Sequence, residues 1–195
     1  MTDAEIIDDV IEREVGATVY AELLDGRRRN AVHRDPADSG GTTNMGITCQ
    51  GLSEKLGRPA TDADVAALTL SGAREFYHWL LDHTGLDDSS GVDPAVRALT
   101  FDIMVNHGPN NGVRMLQRAL GVVCDGVFGR MTRAAFYAAP AGRLYRRLGA
   151  ERMEFTGRVI SRNLRDDDHD GVPDNTEFAA GWMNRQAQFW RDTPS

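Results

Sequence analysis

The 195-residue sequence predicts a mainly α fold, a helical bundle with one small β-hairpin element. Three observations predict it. Helix-start signals recur along the chain, and apolar residues then follow at three- and four-residue spacing. Only the stretch around Val32 to Ile47 has the composition of a hairpin. Hydrophobic residues make up 41% of the chain, enough for a real core.

The first helix opens with a capping box, Thr2 followed three residues later by Glu5. Ile6, Ile7, Val10 and Ile11 form its apolar stripe, Glu14 falls near its end, and Gly16 stops it. Residues 17–34 are less regular; Val19, Tyr20, Leu23 and Leu24 suggest a short ordered insert, and Arg27 to Asn30 read as exposed. Short helices are expected over Leu52–Leu56 and over Asp62–Leu68 behind the N-cap Thr61, with a longer one over Ser71–His83. Asp93-Pro94 starts a helix to Asn106, because an N-cap before a first-turn proline satisfies the helix end. Pro109 begins another, stopped by Gly121. Helices over Thr132–Tyr137, Ala141–Arg162 and Asn175–Arg191 complete the chain. The layout is read as residues 1–92 and residues 93–195 in one compact unit.

The net charge of -7 is mostly local. Residues 166–177 hold six acidic side chains and no Lys or Arg, which accounts for all but one of those charges. No basic stripe interleaved with aromatics is present, so nucleic-acid binding is not expected. Two basic patches remain, Arg27 to Arg29 and Arg143, Arg146 and Arg147; they read as solvated surface or as points of attraction for anionic cell-wall polymers. The N-terminus lacks a basic and apolar leader and no apolar run is long enough to span a bilayer, so synthesis in the cytoplasm without stable membrane insertion is expected. Cys49 and Cys124 are expected to be reduced.

Chemistry concentrates at Asp35 to Thr48, DPADSGGTTNMGIT. Cleaving a glycosidic bond needs an acid to protonate the leaving oxygen and a second group to manage water at the oxocarbenium-like centre. Glu14 is the candidate acid, Asp38 the candidate base and Thr43 the hydroxyl that orients water. Glu22, also upstream of the turn, is the rival acid.

These residues resemble the signature of glycoside hydrolase family 108, whose pattern is roughly E-G-G-Y followed by D-P-x-D-x-G-G-x-T-N-x-G-I-T. The resemblance continues in Val105-Asn106-His107-Gly108-Pro109, Leu116 to Gly121, Asp125 to Gly129 with Thr132, and Gly181-Trp182-Met183-Asn184-Arg185. The sequence departs from it in reading Glu14-Val15-Gly16-Ala17 and in the longer separation of Glu14 from Asp38. The resemblance implies a lysozyme-like fold, an N-acetylmuramidase of the phage endolysin type, and a second half like a predicted peptidoglycan domain. It implies Glu14, Asp38 and Thr43 as catalytic residues. Asn44, Asn106, Trp182, Asn184 and Arg185 lie in the shared motifs and are the candidate substrate-binding residues. The expected partner is peptidoglycan, reached by a monomer after holin-dependent release or membrane damage. A lytic transglycosylase, or a non-catalytic peptidoglycan-binding or secretion-accessory protein, is the alternative.

A second constellation satisfies D-x-D-x-D-G-x5-E, the calcium loop of EF-hands, over residues 166–177. Asp166, Asp168, Asp170 and Asp174 offer carboxylates, Val172 its carbonyl, and Glu177 a bidentate carboxylate. Ca2+ is therefore the expected cofactor, as a structural staple. Tyr77, Trp79, Trp182 and Trp190 are the aromatics available to line a sugar groove, although Phe76, Trp79 and Leu80 have the spacing of a core face.

Overall fold

The computed structural model describes residues 1–34, 41–86, 91–162 and 179–191. Its contacts divide the chain into two compact units, Met1–His83 and Thr84–Ser195. The architecture is the expected mainly α, lysozyme-like one, with a small antiparallel sheet in the first unit.

The first unit begins with α1 (Asp3–Val15), where the Thr2–Glu5 capping box forms in both directions. Ile6, Ile7, Val10 and Ile11 are buried, each burial being worth roughly 1.5–3 kcal/mol. Gly16 adopts φ +81°, which ends α1 and turns the chain into α2 (Ala17–Leu24). The insert that looked irregular is thus a two-turn helix, packed on α1 through buried Tyr20 and Leu23. Helix α5 (Leu70–Thr84) locks this pair. Its Arg74 donates to both carboxylate oxygens of Asp8 at 2.7 and 3.0 Å, and to the Tyr20 hydroxyl at 3.4 Å.

Strands β1 (Val32–Arg34), β2 (Thr42–Asn44) and β3 (Ile47–Thr48) form a sheet in the order β1-β2-β3, with Thr43 opposite both His33 and Thr48. Helices α3 (Cys49–Leu56) and α4 (Asp62–Ala66) follow, capped by Thr48 and Thr61.

In the second unit α6 (Pro94–His107) is the central helix, capped by Asp93 and buried on nearly every face from Val96 to Met104. Around it lie α7 (Pro109–Leu120) and α9 (Ala141–Arg162). Helix α8 (Arg130–Ala138) packs on α7, and α10 (Ala179–Arg191) packs on α9. Gln117 on α7 explains why the Asp125-Gly126 motif accompanies the Leu116-Gln117 motif. Its Oε1 accepts from the Gly126 N–H at 2.8 Å, and its Nε2 lies 2.6 Å from Asp125 Oδ1 and 3.0 Å from Thr132 Oγ1. These motifs are therefore a loop clamp. Both cysteines are free thiols. Among the described residues no helix is long and apolar enough to cross a membrane.

Candidate active site

The β2–β3 connection is a two-residue turn, Met45-Gly46, with φ of +52° and +78°. Positive φ at both positions gives the turn a twist that suits a tight hairpin. For Met45 this conformation costs roughly 1–2 kcal/mol. Two contacts offset that cost: the Met45 side chain is buried, and the Tyr77 hydroxyl donates to the Met45 carbonyl at 2.8 Å.

Glu14 packs onto this turn from the last turn of α1. A Cβ at residue 46 would stand 2.6 Å from Glu14 Cδ and 2.7 Å from Glu14 Oε2, so only glycine leaves space for the carboxylate there. Thr43, half-buried, lies on β2, the strand that leads into the same turn. The structure thus brings Glu14 and Thr43 to one hairpin. Asp38 lies outside the described residues. Glu22 sits elsewhere, on α2, where its carboxylate accepts from Arg28 Nε at 2.8 Å.

Asn44 corrects an expectation. It is fully buried, its Oδ1 accepts from the Ala31 N–H at 2.9 Å, and its Nδ2 donates to the carbonyls of Val65 and Leu68 at 3.0 Å. With its hydrogen-bonding groups engaged inside the protein, it anchors β2 rather than touching a ligand.

In the second unit Arg185 is also structural. Its guanidinium, with Arg152 from α9, clasps the fully buried Asp102 at 2.6 and 2.8 Å. Arg152 further donates to Asn106 Oδ1 at 3.4 Å, which draws Asn106 into the same network. A buried carboxylate is tolerated when opposite charges and hydrogen bonds replace its water. The signal in the sequence was an aspartate inside the mostly apolar stretch Leu99 to Met104. His107, beside this network and edge-on to Phe155, has its imidazole pKa pushed down to about 4, chiefly by burial and then by the Arg152 charge. Trp182 is half-buried and Asn184 exposed on α10. The loop carrying Asp166, Asp168, Asp170, Val172, Asp174 and Glu177 lies outside the described residues. Among the described residues no group of His, Cys, Asp or Glu is placed to hold a metal ion.

Residues 28–108 match the family Glycosyl hydrolase 108. A second match, described as Predicted Peptidoglycan domain, covers residues 111–187. The glycosyl hydrolase 108 match contains the β2–β3 hairpin with Thr43 and Gly46, but it begins after α1 and α2, so Glu14 reaches it from outside in sequence. Among solved structures, one described as the structure of Brucella abortus SagA is similar, with a TM-score of 0.67 and 29% identity over 89% of this chain and 90% of that one. No curated protein matches the sequence. A glycosyl hydrolase 108 region followed by a peptidoglycan domain supports a hydrolase acting on peptidoglycan.

Proposed function

We propose that this protein is an N-acetylmuramidase that hydrolyses the β-1,4 bond between N-acetylmuramic acid and N-acetylglucosamine, in the manner of an endolysin. The observation that carries the reading is the seat of Glu14 on the Gly46 turn, inside a stretch similar to glycosyl hydrolases. Glu14 protonates the glycosidic oxygen as the bond breaks. Asp38 takes a proton from water, Thr43 orients that water, and the incoming hydroxyl adds to the anomeric carbon. The hairpin that Glu14 packs against is fixed by Tyr77 and Asn44, so the surface facing the acid is formed before substrate binds. The enzyme works on the wall as a monomer, after the membrane has been breached.

Mass spectrometry of digested peptidoglycan tests the reading. Products with a free reducing muramic acid are expected, and anhydro-muramic products would assign the protein to the lytic transglycosylases instead. Binding to the wall with no cleavage would make it an accessory protein.

Calcium belongs to the same reading. Residues 166–177 are proposed to bind one Ca2+ through Asp166, Asp168, Asp170, Val172, Asp174 and Glu177, joining the helices that precede and follow the loop.

A further inference from the structure

A cavity of about 340 Å³ lies between α7, α8 and α9, with Ala119, Ala135, Ala138, Pro140 and Leu144 along it and Arg143 and Arg147 at its edge. We propose that this groove binds the stem peptide of peptidoglycan through its alanine side chains and a free carboxylate. The proposal rests on peptidoglycan being the substrate, and it adds a subsite in the second unit that recognises the peptide rather than the sugar.

Size, shape and charge all point to such a ligand. The volume is at the small end of the range for small-molecule sites, about 300–1,000 Å³. Alanine methyls and a proline make a shallow apolar floor, which suits methyl side chains better than rings or long chains. The two arginines are exposed, and neither forms an ion pair among the described residues. Glu151, one helical turn after Arg147, is already engaged by Arg118 Nε at 2.6 Å. Arg147 spends one N–H on the Arg118 carbonyl at 3.3 Å, which holds its guanidinium at the end of α7 and leaves its other donors for a ligand. Guanidinium groups recognise carboxylates through paired N–H donors. Peptidoglycan stems alternate alanine methyls with carboxylates, so they present both features within a few residues.

Titration calorimetry with the free tetrapeptide, the disaccharide-tetrapeptide and a peptide-free glycan strand tests the proposal on the full chain. The wild type is expected to bind both peptide-bearing ligands. The R143Q/R147Q double variant is expected to bind them at least tenfold more weakly, with its melting temperature and its cleavage of peptide-free strands unchanged. Ala135→Leu, which fills the floor and keeps both charges, is expected to weaken the same two ligands. Equal tetrapeptide binding by wild type and R143Q/R147Q overturns the proposal, as does wild-type affinity in A135L. A wild type that binds tetrapeptide but cleaves no glycan overturns the muramidase reading while leaving the peptide site standing.

Discussion

Gly46 and Glu14 share one space: the room a side chain at position 46 would need is filled by the Glu14 carboxylate. A hairpin turn and a helix end more than thirty residues apart are thereby fitted to each other. Gly46→Ala is expected to lose roughly 1–2 kcal/mol from its positive φ alone. It is also expected to displace Glu14 and lower the rate of wall hydrolysis. Denaturant melts and reducing-sugar release on the same preparation measure the two effects separately.

Glu14→Gln preserves shape and removes the transferable proton. Hydrolysis is expected to fall by about 10²–10⁴-fold, the usual contribution of a general acid, with stability and wall binding retained. Glu22→Gln is expected to leave hydrolysis near wild type, since Glu22 pairs with Arg28 on an open face. The opposite ranking of the two variants would move the acid to α2.

Asp102→Asn leaves Arg152 and Arg185 facing each other in the interior without a counter-charge. Breaking a buried pair from one side costs roughly 3–5 kcal/mol. The second unit is expected to melt well below the wild type, which calorimetry of the full chain reads directly.

His107 makes stability depend on pH. An unfolded chain protonates this imidazole near its ordinary 6.5, whereas the folded protein does so only near about 4. Between these values the unfolded state holds the extra proton, so stability falls as pH drops from about 6.5 to about 4, by at most about 3 kcal/mol. His107→Gln is expected to flatten that part of the curve, as judged by chemical denaturation at a series of pH values. An unchanged slope would place the proton uptake elsewhere.

Calcium removal is expected to lower the melting temperature of the wild type. In Glu177→Gln, which lacks the bidentate carboxylate, chelator is expected to have little effect. A wild-type melting curve identical with calcium and with chelator would mean that residues 166–177 hold no ion.

Caps and stops were the readable part of the fold. Thr2, Thr61, Asp93, Gly16 and Gly121 each act through a bond to a neighbour a few residues away, so local sequence carries them. Helix α2 was not readable, because Gly16 gives it no side-chain cap and its inner face is settled by Arg74, 54 residues beyond Tyr20. At the site, the Gly-Thr-Asn composition announced a turn, but its use of Asn44 did not show. An asparagine in a polar run looks available for ligands until Val65 and Leu68 turn out to occupy its amide. The tie of Arg185 to Asp102 was hidden for a similar reason, since the two are 83 residues apart.

The Asp102 network also sets an order of assembly during synthesis. Asp102 and Arg152 leave the ribosome well before Arg185, so the second unit is completed only when its last helix has been made. The Tyr77–Met45 bond and the Glu14–Gly46 contact lie within the first unit and can form much earlier. A nascent chain cut short before Arg185 therefore carries a finished first unit joined to a second one whose interior arginine and aspartate lack their third member.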